Sequence, residues 1–392
     1  MSDLGKRIVI AVTTTVFAAA LTCSMAFAFD PPPVLAIGSQ APDFHLPGVD
    51  GKSYRLQDFS SSKLLVIVFT CVHCPTAQVY EQRIMNLVAD YKDKGVGFVA
   101  IQPNNPKAVR VSELNYSDMS DSLAEMKIRA EYRKFNFPFL YDGDTQSVAM
   151  QYGPVATPHV FIFDKDRKLR YEGRIDNSPR NAPDKVQDAR NAIEALLAGK
   201  PVSVEKTPSV GCSTKWAYKE ASAQQEEAQI TQMPIVLDPV TPEQLKTLRA
   251  NQSGKLLLIN FWATWCGPCT DEFPKLERIY DMYRSRPFDM VTVAVQAPDE
   301  KDAVLAFLKN QNATSKNLIF TTNDPYPEIE AFGSGWSGAV PFTILIDENG
   351  NVVYKSQGEI NPLELKRTIL AHFPNDKNFV GQHEYWNGQY GN

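Results

Sequence analysis

The chain has 392 residues, 43% of them hydrophobic and 22% charged, with a formal net charge of −5. It is too long for one ordinary core and too apolar for disorder, so two domains are expected. The acidic balance argues against nucleic acid and anionic lipid as partners, and six cysteines in such a length are no disulfide scaffold.

At the N-terminus, Lys6 and Arg7 precede an apolar run over 8–21, and Ala26-Phe27-Ala28 is a small-x-small cut site. This reads as a signal peptide, 1–28, implying a periplasmic or secreted protein. Uncleaved, residues 8–29 are about long enough to span a bilayer, and membrane association is expected only then. Cys23 leaves with the leader. Cys71, Cys74, Cys212, Cys266 and Cys269 remain, four of them in two C-x-x-C pairs that an exported chain would use for redox chemistry.

The mature chain is organised by a repeat. Residues 64–70 and 256–262 are short apolar runs, read as buried strands of a largely parallel sheet, each ending just before a C-x-x-C. Helical spacing follows both, through Val79, Ile84, Leu87 and Val88, and through Phe273, Leu276, Ile279 and Tyr280. Thr157-Pro158 and Val340-Pro341 then open a second matched unit. An aspartate stands six residues after each proline (Asp164, Asp347) and a tyrosine thirteen after it (Tyr171, Tyr354). Hairpin turns are expected at Asp164-Lys-Asp-Arg and Asp347-Glu-Asn-Gly350, and amphipathic helices over 186–197 and 363–371. The expected domains are 31–216 and 231–374. A polar Glu/Gln/Ala-rich linker, 217–230, separates them, with helix or coil left open by composition. A tail, 375–392, repeats nothing.

Trp265-Cys266-Gly-Pro-Cys269 is the W-C-G-P-C motif of thioredoxin, and the second half resembles the extracytoplasmic thioredoxin-like reductases of the TlpA and ResA type. The resemblance implies that Cys266 is the exposed nucleophile at a helix N-terminus, where the macrodipole favours a thiolate. Cys269, one turn on, is then the resolving thiol, and Pro341 is a cis proline lining the partner groove. Thioredoxin has a buried aspartate where this chain has Asn260, so the proton acceptor for the resolving thiol is vacant or moved. Glu272 matches the glutamate of the ResA-type motif, where it lies near the disulfide; on its own it also reads as a solvated acid at a helix start.

The first half resembles the peroxiredoxin-like redoxin (AhpC/TSA-type) group, through Phe69-Thr-Cys71-Val-His-Cys74-Pro-Thr76. Cys74 lines up with a peroxidatic cysteine, yet Cys71 stands where the peroxide-binding threonine belongs, which favours dithiol exchange. His73 sits beside the second sulfur as in the C-P-H-C of DsbA-type oxidases, an arrangement that lowers a thiol pKa. Pro158 is the matching cis-proline candidate, followed by His159. Cys212, in Gly-Cys-Ser-Thr-Lys-Trp216, resembles an element of redoxin-like proteins and is read either as a third thiol folding back on the Cys71 site or as a buried inert one.

The fold class expected is therefore α/β: two thioredoxin-like folds in tandem, each a central mixed β-sheet flanked by helices. The expected function is thiol:disulfide exchange with protein thiols and disulfides, served by an upstream reductant or oxidant, with no cofactor and no metal. Two alternatives stand beside it: a thiol peroxidase using Cys74, recycled by the second domain, and a non-enzymatic metal carrier using Cys71, Cys74 and Cys212.

Overall fold

The computed structural model describes residues 30–178, 182–333 and 335–373, and residues from Pro31 onward form one compact unit. The leader and the tail lie outside the described residues. Among the described residues no helix is long and apolar enough to cross a membrane.

The first half begins with a small hairpin, β1 (His45–Pro47) and β2 (Ser53–Arg55). Next come β3 (Leu64–Phe69), α1 (Pro75–Tyr91), β4 (Val96–Gln102), α2 (Leu123–Arg133), β5 (Phe139–Tyr141) and the single turn α3 (Ala149–Tyr152). The half continues with β6 (Ala156–Thr157), β7 (His159–Phe163), β8 (Leu169–Gly173), α4 (Asp188–Leu197) and β9 (Cys212–Ser213). Its five-stranded sheet has the order β5-β4-β3-β7-β8, parallel through β3 and antiparallel beyond it. Every residue of β3 is buried because the strand is covered on both faces: Leu64, Val66 and Val68 enter one core cluster, and Leu65, Ile67 and Phe69 the other.

The second half repeats the plan. It runs α5 (Glu220–Thr231), β10 (Leu237–Val240), α6 (Pro242–Ala250), β11 (Leu256–Trp262), α7 (Gly267–Tyr283), β12 (Phe288–Ala294) and α8 (Lys301–Asn310). It ends with β13 (Lys316–Phe320), α9 (Tyr326–Phe332), β14 (Phe342–Ile346), β15 (Val352–Gln357) and α10 (Pro362–Ala371). The sheet order is β10-β13-β12-β11-β14-β15. The polar segment whose state composition left open is the helix α5, with Ala223 its buried residue. It is held to the first half by Asn105 donating to Glu220 at 2.6 Å and the Ser112 N–H donating to Glu226 at 3.2 Å.

The segment 104–121, which follows β4, joins the halves. Val109, Val111 and Leu114 share a core cluster with Leu276, Ile279, Met282 and Tyr283 of α7 and with Ile369 and Phe373. Polar ties reinforce this apolar seam: Tyr283 donates to the Ser117 carbonyl at 2.7 Å, Asn115 to Ser285 at 3.1 Å, and Arg367 pairs with Asp118 at 3.1 Å.

Candidate functional site

Strand register fixes how the two halves correspond. Phe69 pairs with His159 and Phe261 with Phe342, so the cis bonds Thr157-Pro158 and Val340-Pro341 each end one residue before the register pair. Counting five residues beyond Phe69 reaches Cys74, and five beyond Phe261 reaches Cys266. Each is the N-cap of the following helix, with Pro75 or Pro268 in its first turn. The two C-x-x-C motifs are therefore offset by one helical turn. Cys74, the second cysteine of its pair, occupies the place of Cys266, the first of its own; Ala77 stands at the place of Cys269, and Cys71 at that of Ala263.

In the second half Cys266 and Cys269 form a disulfide with Cα atoms 5.2 Å apart. Cys266 was expected to be exposed; it is only 7% exposed, while Cys269 is fully covered and the adjacent Trp265 is 66% exposed. Val340 packs against the cluster that holds both sulfurs. Glu272 is not the solvated acid of the plainer reading. It is buried, accepts from Asn260 Nδ2 at 3.0 Å and the Ile360 N–H at 2.8 Å, and burial pushes its carboxyl up to about 7 despite those two bonds. Asn260 also donates to Thr343 Oγ1 at 2.9 Å, so it positions Glu272 from the central strand.

A raised carboxyl has a stability signature. Below its usual value of 4.5 Glu272 is protonated whether the chain is folded or not; above that, the unfolded chain releases a proton that the folded chain retains until about 7. The folded state is penalised progressively between these values and fully above them. Glu272→Gln, neutral throughout, should gain about 3 kcal/mol relative to wild type between pH 4 and pH 8. Urea unfolding at the two values measures this, and an equal difference at both would show Glu272 to be unperturbed.

In the first half Cys71 and Cys74 are buried and Cys212 is half-buried against them. The Cys212 N–H donates to Cys74 Sγ at 3.4 Å, and Cys71 Sγ lies 3.1 Å from Thr157 Oγ1. Burial alone would raise the Cys74 thiol, but hydrogen bonds from the Cys212 and Cys71 thiols, the charge of His73 and the Ala77 N–H bring it well below its ordinary value. The Cys71 thiol is pushed up by burial and by its bond to Cys74; the Cys212 thiol is pushed up first by its bond to Cys74 and then by burial. Of the three sulfurs, Cys74 is the one held low, although its Sγ is also placed to donate to the Thr157 carbonyl at 3.6 Å.

His73 is fully buried, its Nδ1 2.5 Å from Asp121 Oδ2. Burial opposes its charge, yet the Asp121 carboxylate raises its pKa, and the imidazolium in turn holds Asp121 low against burial. Asp121 also accepts from the Val72 and His73 N–H groups, both at 2.9 Å, and from Asn104 at 2.7 Å. His159, by contrast, is tied to Glu172 at 2.9 Å. Asp121 and Asn104 carry no motif and were not singled out by sequence reasoning. The metal-carrier alternative named Cys71, Cys74 and Cys212; among the described residues the ligand-type atoms that gather within 4.8 Å of one another are those of Cys71, His73 and Asp121. The oxygens of Asp121 are already taken by four protein donors.

Among known proteins, the chain is 33% identical over 106 residues to the thiol-disulfide oxidoreductase ResA of Bacillus cereus, which is 27% of this chain and 57% of that one. It is 31% identical over 121 residues to ResA of Geobacillus thermodenitrificans, 31% of this chain and 65% of that one. The chain thus spans 57% to 65% of the length of these curated relatives. Among solved structures, an uncharacterized conserved protein from Geobacillus kaustophilus is 39% identical, covering 48% of this chain and 95% of its own, with a TM-score of 0.41. A hypothetical protein from Sinorhizobium meliloti is 32% identical, covering 48% and 98%, with a TM-score of 0.42. The redoxin family matches residues 36–193 and 226–369, one region on each sheet, and the chain belongs to that family.

Proposed function

We propose that this protein is an exported thiol:disulfide oxidoreductase with two exchange centres, one at Cys266 and Cys269 and one at Cys74. The observation that carries the reading is the Cys266–Cys269 disulfide at the N-terminus of α7, where the Cys269 N–H donates to Cys266 Sγ at 3.3 Å and, with the helix dipole, stabilises it as a leaving thiolate. Cys266 is the nucleophile, Cys269 the resolving thiol, and Glu272 the proton acceptor that Asn260 cannot be. Pro341 and Pro158 border the two grooves. The domains proposed are 31–216 and 231–374 behind the leader 1–28, the export address of a periplasmic or secreted protein whose partners are protein thiols and disulfides.

The test is insulin-type disulfide reduction by the full chain. Cys266→Ala should lower it by about a hundredfold or more, since the attacking sulfur is gone, whereas Cys74→Ala should retain most of it. Retained activity in the Cys266 variant would refute the assignment.

A second reading, peroxide reduction at Cys74, is favoured by the surroundings that hold the Cys74 thiol below its ordinary value. Substoichiometric peroxide should then place a sulfenic acid on Cys74, read by trapping and mass spectrometry; a Cys74 left unmodified while other thiols oxidise would dismiss it.

A further inference from the structure

The residue before each cis proline meets a different fate in the two halves. In the second, Ala339 is exposed and Val340 half-buried, and among the described residues no strand pairs with them. In the first, Ala156 and Thr157 are paired antiparallel with Ser213 and Cys212. The Ala339 carbonyl is taken instead by side chains, Trp336 Nε1 at 2.8 Å and Gln357 Nε2 at 3.1 Å; backbone beside a sulfur with no strand on it is an edge that an extended cysteine-bearing segment can join by strand addition. In the first half that edge is already filled from within the chain.

The filling is built, not incidental. A Cβ on Gly211 would meet the Thr157 carbonyl oxygen at 1.9 Å, so only glycine lets the strand lie this close. Beyond Cys212 the segment is held by the Thr214 N–H on the Val155 carbonyl at 3.2 Å, by the Lys215 N–H on Asn104 Oδ1 at 2.8 Å, and by buried Trp216. Cys212 is thereby placed over Cys74, and of the three sulfur-bearing residues it is the half-buried one. Ala77, at the place of Cys269, leaves the helix itself without a resolving thiol.

We propose that β9 is a built-in cysteine strand seated in the first site's partner groove, so that Cys212, rather than Cys71, closes the working disulfide with Cys74. The inference rests on reading the first site as a thiol:disulfide exchange centre. In the oxidised form an incoming substrate thiolate attacks the reachable Cys212 sulfur. A substrate–Cys212 disulfide forms, and the Cys74–Cys212 bond breaks to release Cys74 as a thiolate, the better leaving group for its lowered pKa. A second substrate thiol then attacks its partner sulfur and frees Cys212, which takes up the proton. The substrate dithiol is oxidised by two electrons and the Cys74–Cys212 pair reduced. Re-oxidation by a disulfide of a small thiol runs the same steps backwards, with both electrons leaving to two small thiols.

Tryptic cleavage separates the readings, because Cys71 and Cys74 share the peptide 64–83 while Cys212 lies in 207–215. The reduced full-length protein is treated with glutathione disulfide, acid-quenched, alkylated and mapped by mass spectrometry. The expected result is the two peptides cross-linked through Cys74, a cross-link that persists in Cys71→Ser, and at least tenfold slower oxidation of Cys74 in Cys212→Ser. A bridge confined to 64–83 with Cys212 alkylated, or a cross-link lost in Cys71→Ser, would overturn the inference and leave exchange at the first site standing. If Cys71, Cys74 and Cys212 all stay alkylatable while Cys266 and Cys269 oxidise, exchange at the first site fails and this inference with it.

Discussion

Asp121→Asn is expected to destabilise the protein by about 3–5 kcal/mol and to raise the Cys74 pKa by one unit or more. The first figure follows from burial. His73 and Asp121 are both fully enclosed, and removing one partner of such a pair leaves an uncompensated charge. The amide also replaces one of two oxygens that together take four donors, so a Val72, His73 or Asn104 group loses its acceptor. The second figure follows from the sulfur: without the carboxylate, burial returns His73 to its neutral form, and Cys74 loses a cation that favours its thiolate. Each pKa unit is about 1.4 kcal/mol, or tenfold in thiolate fraction. Ultraviolet thiolate absorbance against pH, with Cys74→Ser as the blank, reads this effect; urea unfolding reads the other. An unshifted absorbance curve would remove His73 and Asp121 from the control of Cys74.

The same pair sets a pH window for stability. Asp121 is held below its ordinary 3.8, so its contribution is complete above that value and lost as pH falls through the lower folded one. His73 is raised above 6.5, so its contribution is complete below 6.5 and lost as pH climbs through the higher folded value. The pair supports the fold in full between about 3.8 and 6.5, and Asp121→Asn should cost most there.

Much of this architecture is legible in the residues. The apolar runs over 64–70 and 256–262, the proline–aspartate–tyrosine spacing and the helical stripes mark two copies of one fold because burial on both faces of a central strand demands near-continuous apolar sequence. The chemistry of the first site is less legible. Matching one C-x-x-C to the other by eye conceals their offset, which only strand register reveals: the sequence shows cysteine spacing, whereas the position of a helix N-terminus depends on where the chain leaves the sheet. Asp121 lies 48 residues from His73 in a segment without periodicity, and no local pattern announces a carboxylate that acts through tertiary contact alone. Glu272 was recognisable by motif, but its perturbed titration comes from enclosure, including the Ile360 N–H from far along the chain.

Electron transfer from Cys266 and Cys269 to the first site is expected to proceed no faster within one chain than between chains. The direction is favourable: a W-C-G-P-C pair resembles thioredoxin at about −270 mV, and a Cys74 held well below the ordinary thiol range should make the first site the stronger oxidant. The obstacle is geometric. α7 rises about 1.5 Å per residue, so its 17 residues carry Cys266 about 25 Å from Tyr283. Tyr283 is the end tied to Ser117, whose hydroxyl also takes Gln78 of α1, which in turn holds the Val72 carbonyl. The seam of Val109, Val111 and Leu114 also lies along the Tyr283 half of that helix, leaving Cys266 at the far end from the contacts that join it to the first site. Were the two sites free to meet on a flexible tether, the effective concentration would be about millimolar, and transfer at about 1 μM protein would gain on the order of a thousandfold over free collision. The comparison uses wild-type chains reduced at Cys266 and Cys269, set against an equimolar mixture. That mixture contains oxidised chains lacking Cys266 and Cys269, and reduced chains lacking Cys71, Cys74 and Cys212. Acid quenching and alkylation should give rates equal within about threefold and linear in concentration, transfer then running by collision between chains. A wild-type rate that is independent of concentration and far above that of the mixture would mean that the seam opens and the halves relay electrons directly.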